Sequence, residues 1–569
     1  MKEIKQNLRL KSIFSDSSER HFDTIIIGSG VGGLSAAICL SRAGQKVLVL
    51  EQHDVPGGWC HSFYLNGHRF TPGVHYVGLL EKGQSTAQLY EALGIANDLT
   101  FFRMNPSAYE HAYIGDERFH FPGNFDDLIV ALVERFPKEE KNIKKYLNLV
   151  RKVSEELQLL PNVEGFWQHL TIPYRTKHMG KYALFSLKRV IDWHIEDPLL
   201  KKILNIQFGD HGLAPAKASF PLHCAVMDHY FNGGFYPCGG GGAIVKAMTT
   251  AIKKNGGDVK TKQTFKRILL EGKKKKTAIG VEMESGEKLF AKRIISNSDP
   301  NITYLNLVGE ENLSSKLNKK LKKTKYSCTS LMLFLTVDMD LKAAGIDSGN
   351  IWLMPNEDMD NVYERMMIPD ITNDDAFDGM FISCTTLKDP SSFDGKHHSI
   401  EAITYLDYTV FEKFKNEKEP RSKEYLEFKK LLTEKMIKTL EKVLPNVREH
   451  IVYKDLGTPI TNEYYINTTK GSVYGTEKKL SQIGPFAYKT KSEIKNLYLC
   501  GASIVSHGVA GAGYSGLQTA GEILNMKQKE LLKVETHQTI TILEAENDIN
   551  YPEWLNNKIE SKKRKRAGK

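Results

Sequence analysis

Two groups of residues in this 569-residue chain have the types and spacing to do chemistry. The first is Gly28-Ser29-Gly30-Val31-Gly32-Gly33, with Glu51 placed 23 residues after Gly28. Gly28 permits a tight turn, Gly30 lets a pyrophosphate approach the backbone, and Gly33 lets a helix pack closely on a strand. The unpaired N–H groups of the following helix then face phosphates, and an acid at the place of Glu51 accepts from a ribose hydroxyl. This is the chemistry of dinucleotide binding; an ordinary Gly-rich turn would not need the acid. The second group is side chains with transferable protons in blocks adjoining glycine-rich elements: His75, Tyr76, His229, Tyr230 and Tyr236. Each also has a plain reading as a hydrogen-bonded core residue, so the sequence names them as proton donors without choosing among them.

The elements that position the first group are legible around it. Phe22 to Ile27 reads as a short apolar strand, Leu34 to Arg42 as a helix ended by Ala43-Gly44, and Lys46 to Leu50 as a second strand. Beyond Glu51 a second glycine pair, Gly57-Gly58, precedes Trp59-Cys60-His61-Ser62. Backbone without side chains there can lie against a cofactor longer than a mononucleotide. Near the C-terminus the strand-like Leu497 to Cys500 enters Gly501-Ala502-Ser503, followed by Gly508-Val509-Ala510-Gly511-Ala512-Gly513. The spacing predicts a glycine loop through Gly511, Ala512 and Gly513 and a helix from about Tyr514. A helix N-terminus aimed at a flavin would stabilise its anionic reduced form. Together these features select FAD over NAD.

Composition sets the outer bounds. Hydrophobic residues at 41% and charged residues at 26%, with a mean hydropathy of -0.37, exclude collagen, coiled coil and global disorder. No stretch approaches the roughly 18 apolar residues of a membrane span; the longest, Ser330 to Val337, is the length of a buried strand. The net charge of +10 is concentrated in Lys558 to Lys569, read as a basic, solvated and disordered tail, which argues against nucleic acid. Seven scattered cysteines without a C-x-x-C pair imply no disulfide framework and no metal site. Neither Cys60 nor Cys238 has an identifiable base partner. The polar residues before Phe22 lack a signal-peptide core, which makes a cytoplasmic setting the expectation. Lys273 to Lys276 read as a hairpin tip. Gly239 to Gly242 lack a clean strand before them, so no NADPH site is expected there and the electron donor or acceptor is unidentified.

The fold expected is α/β: a Rossmann-type FAD-binding lobe from residues 22–89, 221–300 and 485–530, with an inserted mixed α+β substrate lobe from 90–220 and 301–484. Residues 1–21 and 531–569 are expected to be peripheral ends. Residues 90–220 read as helix-rich and aromatic. Within them, Phe166 to Trp193 mixes Phe166, Trp167, Tyr174, Tyr182, Phe185 and Trp193 with basic residues, which suits peripheral contact with a membrane face.

The three glycine elements together resemble the FAD-dependent phytoene desaturase, carotenoid isomerase and retinol saturase superfamily, whose two-lobe fold resembles that of monoamine oxidases. Gly57 to Phe63, Phe70 to Gly78, Gly209 to Pro215, Ala218 to Phe220 and His229 to Pro237 are most similar to the retinol saturase branch. The resemblance runs from about Phe22 to Leu524. It implies an oxidoreductase acting on a carbon–carbon double bond of a retinoid- or carotenoid-like polyene, favoured as a saturase, with desaturation, cis–trans isomerisation and non-catalytic prenyl-lipid carriage as alternatives. Three positions depart from the pattern or from wider flavoprotein usage. Trp59 stands where many relatives place arginine, Cys238 where the branch resembles Pro-Arg-Gly-Gly, and Ala502 where many other flavoproteins carry an acid.

Overall fold

A computed structural model describes residues 21–159, 171–273, 275–371, 375–534 and 537–567. Around the first glycine run the chain forms a strand at His21–Ile27, a helix at Val31–Arg42 and a parallel strand at Val47–Leu50. Gly44, at φ +79°, ends the helix in the left-handed conformation that closes helix C-termini. Every helix residue from Val31 to Ser41 is buried, which explains an apolar run with no polar face.

These strands sit at the centre of a seven-stranded sheet. Its path runs Phe265–Glu271, Thr277–Met283, Lys288–Ser296, His21–Ile27, Val47–Leu50 and Asp258–Lys260, with Leu497–Leu499 beside Lys288–Ser296. Lys288–Ser296 joins the segments: its start pairs antiparallel with Thr277–Met283 and its end parallel with Leu497–Leu499, while its other edge is parallel to His21–Ile27. Strands far apart in sequence thereby end together, and in such sheets ligands bind beyond the carboxyl ends of the strands. The turn of the Phe265–Glu271/Thr277–Met283 hairpin carries the lysine run; Lys274 lies outside the described residues.

The second glycine-bearing helix starts earlier than the spacing predicts, at Gly508 rather than Tyr514, and runs to Leu524. Gly511 and Gly513 therefore lie inside a helix, where glycine is a poor residue by propensity. Packing overrides the propensity. A Cβ on Gly516 would sit 2.0 Å from the Gly32 carbonyl, and one on Gly513 would sit 2.7 Å from Leu89, so small residues let this helix lie against Val31–Arg42.

A second seven-stranded sheet runs in the order Ile451–Gly457, Thr329–Val337, His398–Leu406, Met380–Cys384, Asn350–Met354, Glu110–Ile114 and Glu117–Phe121. Thr329–Val337 and His398–Leu406 are buried along their whole length, as a central strand covered on both faces must be. Residues 90–220 are not purely helical: they contribute Glu110–Ile114 and Glu117–Phe121 here and Thr100–Arg103 elsewhere. These strands are short and carry charged or aromatic residues, so no alternating pattern announced them.

The C-terminal segment is ordered and docked, correcting the expectation of a disordered tail. Thr541–Glu544 lies parallel to Thr100–Arg103, and a helix spans Glu553–Ala567. Buried Tyr551 and Leu555 pack with Phe102, and Lys562 Nζ donates to the Ser392 carbonyl at 2.6 Å. The lysine-rich composition hid these two apolar anchors. Among the described residues no helix is long and apolar enough to cross a membrane.

Candidate active site

A cavity of about 240 Å³ opens where the strand ends of the first sheet meet the two glycine-bearing helices. Of the sequence-read cofactor residues, Gly28, Gly30, Glu51, Gly57 and Gly58 line it from one side, and Gly501, Ala502 and Ala512 from the other. Gly33, Gly511 and Gly513 do not line it. Gly33 acts beneath it: a Cβ there would lie 2.4 Å from the Gly28 carbonyl, the close helix–strand packing expected of that position. A Cβ on Gly511 would meet Ser506 at 2.8 Å, so this glycine packs its own helix start rather than a ligand.

Local hydrogen bonds fix the cradle. Glu51 Oε2 accepts from Ser29 N and Oγ at 2.9 and 2.6 Å, and its Oε1 from His53 N at 2.9 Å. Ser29 Oγ in turn accepts from Gly57 N at 2.9 Å, tying the second glycine pair to the first turn. Gly28, Gly57 and Gly58 have φ of +88°, +125° and +54°, conformations that favour glycine. A Cβ on Gly58 would come within 3.3 Å of Gly30 Cα, so the two glycine segments face each other across a gap that side chains would fill. The N-termini of Val31–Arg42 and Gly508–Leu524 both reach this gap, bringing two positive helix ends to one place. The buried indole Nε1–H of Trp59, another lining residue, has no partner within the protein. These features fit FAD: facing glycines, an acid at ribose distance in sequence, two helix N-termini and an orphan donor.

Residues that the sequence reading missed complete the wall. Asn297 follows the strand Lys288–Ser296; its Oδ1 accepts from Gly33 N at 3.0 Å, and its position just past a parallel strand is the signal that marks it. His507 caps the second helix. Its Nε2 lies 2.7 Å from the Asp210 carbonyl, which can only accept, so Nε2 carries the hydrogen and Nδ1 is left as a partnerless acceptor. Burial pulls its pKa down to about 4, keeping it neutral. Lys478 Nζ donates to the Ala502 carbonyl at 2.5 Å, and burial lowers its pKa to about 8.

None of the five sequence-read proton donors lines this cavity. They gather instead in a block where His75, Tyr76 and His229 are partly buried and Tyr230 and Tyr236 buried. Tyr76 stacks on Tyr230 with ring centroids 4.1 Å apart, and its hydroxyl lies 2.9 Å from Glu110 Oε2 and 2.8 Å from Asp210 Oδ2. His229 packs edge-on against Tyr230, but its Nε2 accepts from Gly78 N at 2.9 Å and burial pulls its pKa down to about 4, which makes it a backbone prop. His75 Nδ1 is 3.2 Å from Glu401 Oε2 without the alignment of a hydrogen bond. Tyr236 is fully buried with Lys388 Nζ 5.6 Å above its ring. Lys388 is itself buried, donates to the His75 carbonyl and Ser383 Oγ at 2.8 and 2.6 Å, and has its pKa lowered by burial to about 7.

Thiol and glycine-loop readings resolve as structural. Burial pushes Cys60 up to about 12 and Cys238 up to about 11, so both are neutral thiols. At the Gly239 to Gly242 run, Gly239 N is taken by Asp389 and Gly242 N by Ser62 Oγ. His68, Asp394 and His397 bring ligand atoms within 4.8 Å of one another, away from the cavity lining; the 2.8 Å hydrogen bond between His397 and Asp394 accounts for two of them.

Burial, followed by mutual repulsion, raises the Glu110 carboxyl above the usual carboxylate range, and burial raises Asp210 likewise. Between their unfolded and folded values the native state holds more protons than the unfolded chain, so stability falls as pH rises through that window and levels off above it. Glu110→Gln removes one titrating group. Its stability relative to wild type is expected to grow by about 1–3 kcal/mol between roughly pH 5 and 8, read by urea denaturation at each pH; a pH-independent difference would contradict this.

The cradle and the two-lobe architecture define an FAD-dependent oxidoreductase, in which bound FAD supplies hydride transfer at its N5. A family model described as flavin containing amine oxidoreductase matches residues 31–330, more than half the chain, and the chain belongs to that family. It is 28% identical over 547 residues to the all-trans-retinol 13,14-reductase of Danio rerio, covering 92% of this chain and 89% of that protein. It is also 28% identical over 531 residues to the chloroplastic prolycopene isomerase 1 of an Oncidium hybrid cultivar, covering 88% of this chain and 84% of that one. Among solved structures, cyclohexylamine oxidase from Brevibacterium oxydans matches with a TM-score of 0.55 at 14% identity over 88% of this chain and 99% of that one, a likeness of fold. The resemblance to the desaturase, isomerase and saturase superfamily thus extends to whole-chain relatives.

Proposed function

We propose that the protein saturates one double bond of a retinoid-like or other isoprenoid polyene. The observation that carries the reading is the pairing of a complete FAD cradle with a buried aromatic block, Tyr76, Tyr230, Tyr109 and Phe381, that holds a transferable proton. Saturation needs a hydride at one carbon and a proton at the other, and a polyene needs apolar, water-free walls. The same site, run otherwise, would serve a desaturase or a cis–trans isomerase, and the similarity to the prolycopene isomerase of Oncidium supports the latter as the second reading. Anaerobic incubation of the reduced enzyme with retinoids and carotenoids, followed by mass analysis, separates them. A gain of two hydrogens is the expected result; unchanged mass with a shifted spectrum means isomerisation, and loss of two hydrogens by the oxidised enzyme would overturn saturation.

The setting is part of this proposal: a cytoplasm-facing enzyme with peripheral membrane contact, an unidentified electron donor and no nucleic-acid partner. Tyr174, Leu184 and Trp193 are 79%, 80% and 50% exposed, with Arg189 over the Phe185 and Trp193 rings, the mixture that suits an interface. Tyr182, by contrast, is buried, and Phe166 and Trp167 lie outside the described residues. Co-sedimentation with lipid vesicles, lost on replacing Leu184 and Trp193 by serine, tests the contact.

A further inference from the structure

We propose that Glu110 and Asp210 hold one proton between them across the Tyr76 hydroxyl, and that this proton replaces the one Tyr76 delivers to the substrate. The second half rests on the saturase reading; the first does not. The argument begins with hydrogen counting. A tyrosine hydroxyl has one hydrogen to donate. The Tyr76 oxygen is within hydrogen-bond distance of a carboxyl oxygen on each side, 2.9 Å to Glu110 and 2.8 Å to Asp210. Short of sharing that hydrogen in a weaker three-centre bond, both contacts are full hydrogen bonds when one carboxyl is protonated and donates to the Tyr76 oxygen while the other accepts from it.

Burial and the neighbouring Asp210 raise the Glu110 pKa despite the Tyr76, Gln207 and Trp352 donors near its carboxyl, so those neutral donors do not suffice to hold two negative charges. Glu110 is fully buried, and its Oε1 makes no hydrogen bond. The titratable groups around the pair are Tyr109 and Tyr230 beside both carboxyls, Tyr405 and Tyr474 beside Asp210, His211 next in sequence, His507 on the Asp210 carbonyl, and Lys388. The tyrosines are neutral and His211 and His507 are held neutral by burial. The Lys388 ammonium is spent on Asn350, Ser383 and the His75 carbonyl rather than on either carboxyl. Two carboxylates sharing one site without a bonded cation keep a proton, as in dyads where like charges cannot both ionise.

The balance of the step follows. Bound reduced FAD would supply a hydride with its two electrons to one alkene carbon, and the Tyr76 hydroxyl would give its proton to the other, which bonds it with the former π pair. The Tyr76 oxygen recovers a proton from the neutral carboxyl. The cluster is left as two carboxylates and regains one proton from water before the next turnover. Tyr76 does not line the cofactor cavity but is only partly buried, so a polyene reaching from the cavity into the aromatic block would meet it, and Glu110 and Asp210 are positioning residues that keep it supplied with a proton.

The test of the store uses no substrate. Infrared spectra of the FAD-loaded wild type in deuterated buffer are expected to show a protonated-carboxyl stretch near neutral pH that disappears on raising the pH and is lost in Glu110→Gln or Asp210→Asn. If neither variant folds, the pH titration of the wild-type band stands alone; absence of such a band at neutral pH overturns the proposal. The delivery half is read by flavin re-oxidation. Tyr76→Phe should slow it by about 100-fold or more at unchanged FAD content. Glu110→Gln should move the alkaline limb of its pH profile, and Glu110→Asp should partly restore it. An unchanged rate in Tyr76→Phe overturns delivery, whereas failure of every polyene to re-oxidise wild type overturns the saturase reading and leaves the infrared result intact.

Discussion

Gly30→Val is expected to give a folded, colourless protein. Gly30 has φ −59° and ψ 163°, which valine adopts without strain, so the substitution acts through space alone. Its Cβ would sit 2.6 Å from Asn297 Nδ2, on a side chain whose Oδ1 is held by Gly33 N. Across the gap Gly58 already approaches Gly30 Cα, so the valine methyls have only the pyrophosphate path to occupy. FAD affinity should fall by at least about 100-fold, or roughly 2.8 kcal/mol, with the far-ultraviolet dichroism unchanged. A variant that purifies with a full complement of FAD would show that the facing glycines are not the cradle.

Asp389→Ala should cost about 3–5 kcal/mol of stability, the range for breaking a buried ion pair from one side. Asp389 is fully buried, and although burial alone would raise its pKa, Arg69 together with the hydrogen bonds from Ser391 and Gly239 N outweighs that and holds it below the usual value. Its carboxylate pairs with Arg69 and accepts from Gly239 N at 2.8 Å, Ser391 N at 3.0 Å and Ser391 Oγ at 2.6 Å. Removing it strands a guanidinium and two backbone donors inside the protein. The damage falls where three parts meet: the hairpin Phe63–Phe70, the turn after Phe235–Pro237, and the C-terminal helix, whose Lys562 docks on neighbouring Ser392. Urea denaturation reads the loss. Lys144→Ala, which breaks an exposed pair with Glu140, serves as the contrast and should leave the denaturation midpoint almost unchanged. Equal effects from the two substitutions would contradict this account of the core.

The cofactor cradle was legible because its chemistry is local. Positive φ at Gly28 and Gly57-Gly58, the helix start at Val31 and the acid at Glu51 are properties of contiguous residues, and a strand–helix–strand pattern fixes where they point. The proton block was only half legible. Tyr76 and Tyr230 stood out as proton carriers, yet Glu110 lies 34 residues and Asp210 134 residues from Tyr76, and nothing in either neighbourhood signals the meeting. Glu110 opens a short strand whose parallel partner is Asn350–Met354, a pairing that only the assembled sheet creates. His507 reads as loop until the helix is seen to begin at Gly508. The C-terminal helix was hidden for a different reason: charge dominates its composition, while its docking depends on Tyr551 and Leu555.

The proposed reaction is the passage of a hydride from FAD to an isoprenoid double bond. The measurement that bears on it most directly is a half-reaction: reduce the flavin anaerobically with dithionite, remove the excess, and mix with a retinoid or carotenoid. The account predicts that the visible flavin absorbance returns, in step with loss of one double bond from the polyene spectrum. Persistence of the bleached flavin with every isoprenoid tried, together with bleaching of the oxidised protein by a primary amine, would contradict it and place the enzyme with the amine oxidases of its fold.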